Sequence, residues 1–329
     1  MIDLRGRHFL TLRDYSKDEI LYLIEKAQEF KRLKKEHIVH DYLKGRNIVM
    51  IFEKTSTRTR CSFEVAAHDL GMGTTYLDPR SSQMGRKESL LDTAKVLGRM
   101  YDAIEYRGFR QDKAELLAKN AGIPVLNGLT GSYHPTQMLA DMLTIKEHFK
   151  HLEGLKLVFI GPTRNSVANS LLVTTSKLGI DYTACGPKEL WPDRELYEEC
   201  LKEAKRNNCQ IELTEYINEA LAGADVVYTD AWVMMGEPND LWKERSELLR
   251  HYRVDMKMMK KAKDNAIFMH CLPAFHDQET ELAKELYEKL GLVDLEVSDE
   301  VFNFERSKVF DQAEDRVHTI KALLYEILK

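Results

Sequence analysis

From Thr55 to Arg60 the chain carries an unbroken run of hydroxyl and guanidinium side chains, Thr55-Ser56-Thr57-Arg58-Thr59-Arg60, shortly after the apolar stretch Ile48-Val49-Met50-Ile51-Phe52. Hydroxyls and fork-shaped guanidinium groups are donors suited to phosphate or carboxylate oxygens. The next residues, Cys61 to Ala67, read as the start of a helix. The cluster would then sit at a helix N-terminus, where unpaired N–H groups and the dipole favour an anion. A phosphate-bearing ligand is the chemistry this order suggests. Taken alone, the same residue types also fit a helix cap with solvated arginines. No Gly-x-x-x-x-Gly-Lys accompanies them, so a nucleotide P-loop is not the source of the signal.

The elements that must position this cluster follow an alternating pattern. Short apolar runs are separated by longer charged segments of helical period, as in parallel strands joined by crossover helices. Strands are expected at 47–52, 74–77, 103–107 and 124–126, then at 156–160, 181–185, 211–213, 225–228 and 266–271. The fold class is therefore α/β, with two doubly wound parallel-sheet domains joined by interdomain helices. One connecting helix is expected at 136–150, where Met138, Leu139, Met142, Leu143 and Ile145 recur at helical spacing, and an amphipathic closing helix at 313–328. The expected division is a first domain at 1–150 with helix 313–329 packing back on it, and a second at 151–312.

With 329 residues and 43% hydrophobic content, the chain can bury a substantial core and suggests two domains. A net charge of −5 gives no general attraction to nucleic acid or to an anionic membrane, so neither is an expected partner. No apolar run approaches the roughly 20 residues that span a bilayer, and Met1-Ile2-Asp3-Leu4-Arg5 lacks a signal-peptide core, which makes the cytoplasm the expected location. The cysteines, Cys61, Cys185, Cys200, Cys209 and Cys271, show no CxxC spacing and suggest neither a zinc ribbon nor a disulfide framework. Charge runs such as Lys31-Arg32-Leu33-Lys34-Lys35 are expected on solvated helix faces.

Open parallel sheets bind ligands beyond the carboxyl ends of their strands. Polar residues recur there: Arg107-Gly108 after the third strand, the run Asn127 to Tyr133 leading into His134-Pro135-Thr136-Gln137 after the fourth, then Arg164-Asn165-Ser166, Asp230-Ala231-Trp232 and His270-Cys271-Leu272-Pro273. Together with Tyr106-Arg107-Gly108, Met235-Gly236-Glu237, the continuation Ala274-Phe275-His276-Asp277, and Arg316-Val317-His318-Thr319, this ordered set resembles the aspartate and ornithine carbamoyltransferase family, and most closely its ornithine branch. The matching pieces span nearly the whole chain.

The resemblance implies transfer of a carbamoyl group from carbamoyl phosphate to an amine, without a metal or organic cofactor. It implies that Ser56, Thr57, Arg58 and Thr59 hold the phosphate, and that Arg107, His134, Gln137 and Arg316 hold and polarise the carbamoyl end. Gln83, in Ser82-Gln83-Met84-Gly85, is expected to reach a neighbouring subunit's site in a homotrimer. Cys271 and Leu272 are expected to touch carbamoyl phosphate, with Cys271 paired to Asp230. Asn165, Asp230, Met234 and Met235 are expected to bind the acceptor. The catalytic set implied is Arg58, Arg107, His134, Cys271 and Asp230, since attack by an uncharged amine builds negative charge that preformed donors must stabilise. Each residue also has a plainer reading. His134 could cap the helix opening at Pro135, Cys271 could be a buried hydrophobe, Asp230 a turn former, and Trp232 wall packing.

The acceptor side departs from the family pattern. Asp230-Ala231-Trp232-Val233-Met234-Met235-Gly236 stands where ornithine enzymes typically read Asp-x-Trp-x-Ser-Met-Gly. Asn165-Ser166 replaces tandem asparagines, Pro162 replaces an aspartate, and Gly131-Ser132 stands where acids are common. The leading expectation is transfer to L-ornithine, giving L-citrulline and phosphate. The alternative keeps donor and reaction but uses putrescine, lysine or a modified ornithine. A non-catalytic carbamoyl phosphate sensor is a rival of another class, opposed by the retention of both halves of the chemistry. A dehydrogenase is opposed by the absence of Gly-x-Gly-x-x-Gly after any strand.

Overall fold

Continuous apolar runs form strands buried on both faces, which is what a parallel sheet covered by helices requires. The computed structural model describes residues 2–78, 80, 82–233 and 240–329. Its strands are β1 (Asn47–Phe52), β2 (Gly73–Leu77), β3 (Ala103–Arg107), β4 (Val125–Leu129), β5 (Lys156–Ile160), β6 (Asp181–Cys185), β7 (Ile211–Thr214), β8 (Val226–Thr229) and β9 (Ile267–His270).

The chain divides into two units, Met1–His148 with Ala313–Lys329, and Phe149–Gln312. In the first, β2-β1-β3-β4 form a wholly parallel sheet. Val49, Ile51, Ile104, Tyr106 and Val125 pack in its core with Ala94, Ala114 and Leu117 of the flanking helices. In the second, β7-β6-β5-β8-β9 are again all parallel. There Val158, Ile160, Val227 and Phe268 pack with Trp232, Val254, Val297 and Val301. Strand order reverses between β1 and β3 in one sheet and between β5 and β8 in the other. Crossovers leave such points in opposite directions and open a crevice at the strands' carboxyl ends.

Several boundaries differ from the sequence reading, each for a physical reason. The helix after β1 is Thr57–Asp69, so Thr57, Arg58, Thr59 and Arg60 form its first turn instead of preceding it. The Ser56 side chain starts it by accepting from the Thr59 N–H, which polar residue types at the start of a helix conceal. β4 runs three residues beyond Leu126, through Asn127-Gly128-Leu129, because the buried Asn127 amide donates to the Leu10 carbonyl at 2.9 Å and Gly128 leaves room for a neighbouring carboxyl. The closing helix is Val309–Leu328, four residues longer at its start than expected. Lys31 does not lie on a solvated face: its ammonium is half-buried and pairs with Glu147 at 2.6 Å and Asp315 at 2.7 Å. Among the described residues no helix is long and apolar enough to cross a membrane.

Candidate active site

Ser56 is the N-cap of Thr57–Asp69, its hydroxyl oxygen accepting from Thr59 N at 3.1 Å. The cap reading of the cluster therefore holds at this residue, and capping leaves the hydroxyl proton unused. The first turn of this helix contains no acid, so nothing there competes for the positive dipole end. Arg60 points elsewhere, bonding Glu64 at 2.9 Å and lying over the Tyr76 ring. Arg58 is half-buried and its charge acts on His134.

Thr59 is buried, and its Oγ1 accepts from two guanidinium groups, Arg107 Nη1 at 3.1 Å and Arg316 Nη2 at 3.2 Å. Arg107 ends β3, where the pairing with β4 shifts register between Tyr106 and Arg107, an irregularity that re-aims a side chain. Arg316 comes from the closing helix and is 2% exposed. It donates also to Gln137 Oε1 at 3.1 Å, to Thr136 Oγ1 at 3.2 Å and, more weakly, toward His134 Nε2 at 3.4 Å. Gln137 is fixed in turn by its own bond to Asp141 at 2.8 Å. The guanidinium planes are thus held before any ligand arrives.

His134 is buried, and burial with the charges of Arg316, Arg107 and Arg58 holds its imidazole well below the ordinary range. It is neutral at physiological pH. Because a guanidinium only donates, Nε2 accepts and the ring proton resides on Nδ1.

In the second unit Asp230 follows β8 and is buried. Its Oδ2 accepts from Asn165 Nδ2 at 3.2 Å and its Oδ1 from the Cys271 thiol at 3.2 Å. Burial raises its carboxyl, opposed by His270 and the Cys271 bond. Asn165 is the N-cap of Ser166–Leu178 through Ala168 N at 2.8 Å, so most of its amide is already engaged. Ser166 is buried with no partner for its hydroxyl among the described residues. Trp232 packs in the core as wall.

The Cys271-Leu272-Pro273 turn is anchored from beneath. His270 Nδ1 accepts from Leu272 N at 2.9 Å, and its Nε2 faces Glu296 Oε1 at 3.4 Å. Glu296 Oε1 also accepts from Phe275 N at 2.7 Å. Leu272 itself adopts φ 59°, a costly region for a branched residue and one this anchoring supports.

Thr59, Arg107, His134, Gln137 and Arg316 are brought together by direct contacts, as are Asn165, Asp230 and Cys271. Thr57 lies exposed on the first turn with Arg58. Gln83 is exposed on a turn where its carbonyl accepts from Arg86, Lys87 and Glu88 and makes no direct contact to that first set among the described residues. Met234 and Met235, with Gly236 and Glu237, lie outside the described residues. Sequence reading passed over Thr136 and Asp141, which hold Arg316 and Gln137, the Glu296 anchor, and Glu105, a fully buried acid on β3. For Glu105 a signal existed: a carboxylate inside an otherwise apolar strand, two residues from Arg107 and so on the same face.

Comparison with known proteins bears on what these groups serve. A family model described as "Aspartate/ornithine carbamoyltransferase, carbamoyl-P binding domain" matches residues 7–147. A second, "Aspartate/ornithine carbamoyltransferase, Asp/Orn binding domain", matches residues 153–327. The chain is 56% identical over 323 residues to a Treponema denticola protein named "Ornithine carbamoyltransferase, catabolic", covering 98% of this chain and 96% of that one. A Bacillus cereus protein of the same name is 53% identical with the same coverage. Among solved structures, the Pyrococcus furiosus ornithine carbamoyltransferase superposes with TM-score 0.91 at 38% identity, covering 100% of this chain and 99% of that one. The Gloeobacter violaceus ornithine carbamoyltransferase does so with TM-score 0.84 at 33% identity, covering 100% of each.

Proposed function

The chain belongs to the aspartate/ornithine carbamoyltransferase family, and from that premise we propose that it transfers the carbamoyl group of carbamoyl phosphate to the side-chain amine of L-ornithine, giving L-citrulline and phosphate. The observation that carries the reading is the meeting of Arg107 and Arg316 on the Thr59 hydroxyl in a helix whose first turn contains no acid. Phosphate leaving as a dianion, and an oxyanion forming at the carbamoyl oxygen, are the charges such a site stabilises.

In this reading the first unit takes the donor. Ser56, Thr57, Arg58 and Thr59 bind the phosphate, while Arg107, His134, Gln137 and Arg316 bind the carbamoyl end. A neutral His134 offers its Nδ1 proton as a hydrogen bond and does not have to give it up. The second unit takes the acceptor. Asp230, held by Asn165 and Cys271, neutralises a cationic amino group so that the other attacks uncharged, and Cys271 and Leu272 complete the donor contacts. Met234 and Met235 contact the amino acid.

The sequence departures at Ser166 and Met234 do not favour another amine, because relatives more than half identical over nearly the full length are named for ornithine. The catabolic designation of both supports a catabolic role for this chain. Self-association as a homotrimer, with Gln83 serving a neighbouring subunit, is supported by the exposure of that side chain, and a cytoplasmic location fits a chain with no membrane-spanning helix among the described residues.

The test is kcat/KM for ornithine, lysine and putrescine at saturating carbamoyl phosphate. Ornithine is expected to exceed the others by at least about tenfold, since a polar site left with unpaired groups rejects an analogue strongly. A larger value for lysine or putrescine would overturn the acceptor assignment. Absence of phosphate release with all three would overturn the reaction.

A further inference from the structure

Glu105 is the one buried acid of the first sheet whose two carboxyl oxygens both lack a hydrogen-bond partner among the described residues. It lies on β3 two residues before Arg107, paired laterally with Met50 of β1 and Leu126 of β4, neither of which can bond it. Its Oε1 sits over Gly128, where an added Cβ would come within 1.8 Å, and the Thr59 methyl closes the same spot at 3.2 Å from that position. The charged groups acting on it are Arg107 on its own strand and Arg316 from the closing helix. Both donate to the Thr59 hydroxyl. A carboxyl group and an anion-binding hydroxyl thus share one threonine and one pair of guanidinium groups.

Two influences oppose each other at such a group. Burial without partners disfavours the carboxylate and the two arginines favour it; burial prevails, so the carboxyl is held well above the ordinary carboxylate range even with both arginines acting on it. An anion bound to those arginines cancels the second influence and leaves the first.

Resting on the reading of this site as the carbamoyl phosphate site, we propose that Glu105 is a proton-linked positioning residue: on the alkaline side its carboxylate balances Arg107 and Arg316 when no anion is bound, and there it takes up one proton from solvent as carbamoyl phosphate binds. The bound dianion replaces the carboxylate as counter-ion, and the neutral acid stays beneath it without repulsion. Each neighbouring opposite charge typically moves a carboxyl by about 1–3 pH units, so on the alkaline side the site has a pH window in which Glu105 is ionised before binding and protonated after. Within that window affinity falls as pH rises, by at most about tenfold per pH unit for one proton.

The experiment is calorimetric titration of the full chain with carbamoyl phosphate between pH 6 and 9.5, in buffers of different ionisation enthalpy, for wild type and Glu105→Gln. Wild type is expected to take up more protons per ligand than the variant, with a maximum inside this range. The difference cancels the titration of the ligand's own phosphate. The variant, mimicking the neutral acid, is expected to bind more tightly than wild type on the alkaline side and to lose the extra pH slope. Equal proton counts at every pH would overturn the proposal. If Glu105→Gln does not fold, infrared difference spectra of the wild type on ligand binding decide instead. A new protonated-carboxyl band supports the linkage, and its absence across the pH range refutes it. Failure of wild type to bind carbamoyl phosphate at any pH would overturn the site assignment itself, whereas binding without proton uptake would overturn only the role of Glu105.

Discussion

Arg316 and Thr59 stand 257 positions apart in the chain, yet the guanidinium of one donates to the hydroxyl of the other at 3.2 Å. The contact ties the closing helix to the first turn of the helix after β1, and it sets the plane of a fully desolvated cation. Arg316→Lys keeps the charge but replaces a planar fork with a point donor that cannot serve Thr59, Thr136 and Gln137 together. Steady-state kinetics with carbamoyl phosphate varied should show kcat/KM falling by about 10²–10³. Thermal melts should show a loss on the order of 1–3 kcal/mol from acceptors left without donors. A lysine variant with near-normal kcat/KM would show that charge alone suffices there.

At His134 stability depends on pH. Its imidazole is held well below the ordinary 6.5 by burial first and by Arg316, Arg107 and Arg58 next. The folded chain therefore resists a proton that the unfolded chain accepts, so stability is fully present above about pH 6.5 and declines as pH falls toward the depressed folded value. His134→Gln, which keeps a side-chain donor, should lose less stability than wild type between pH 6.5 and 5, read by denaturant midpoints at each pH. Its kcat/KM should drop by about tenfold, the worth of one hydrogen bond, while the acid limb of the rate profile stays in place. An acid limb that disappears in the variant would mean that His134 titrates during turnover.

The Cys271 thiol donates to Asp230 Oδ1 at 3.2 Å, which makes it a hydrogen-bond donor to a buried carboxylate. A hydrogen bond to a charged group contributes about 1.5–3 kcal/mol. Cys271→Ala should accordingly raise KM for ornithine by about 10–100-fold, and Cys271→Ser, with a donor retained, should do so distinctly less. If alanine and serine were equally impaired, the thiol's volume or chemistry would matter more than its proton.

Burial on both faces makes the strands legible: Ile48-Val49-Met50-Ile51-Phe52 is uninterrupted because every residue in it is buried. The start of the next helix is not legible, because Thr57, Arg58 and Thr59 have loop-like residue types and are helical only through the Ser56 cap. The end of β4 is hidden for a related reason, as Asn127 and Gly128 look like turn residues until Leu10 and Glu105 are placed beside them. Arg107 and Asp230 stand out in the sequence by their positions at the carboxyl ends of apolar runs. Arg316 is reached only through family resemblance, since no periodicity in a helix 257 residues away points to Thr59. Lys31 reads as solvated because its two acidic partners come from other helices.

Asp315 precedes Arg316 in the closing helix. Its carboxyl is buried, accepts from Thr144 at 2.6 Å and pairs with Lys31 at 2.7 Å. Burial pushes it up to about 6 despite these partners, from an ordinary 3.8. A folded value above the unfolded one means that the folded chain holds this proton more tightly. The associated stability is complete below about pH 3.8 and is lost as pH rises through about 6. Asp315→Asn keeps the shape and an acceptor for Lys31 and Thr144 but has no proton to lose. Calorimetric melts from pH 4 to 7 should therefore show the asparagine variant gaining on wild type, by on the order of 3 kcal/mol across the window. A constant difference would mean that Lys31 keeps Asp315 ionised throughout, and that the ion pair outweighs the burial of its carboxylate.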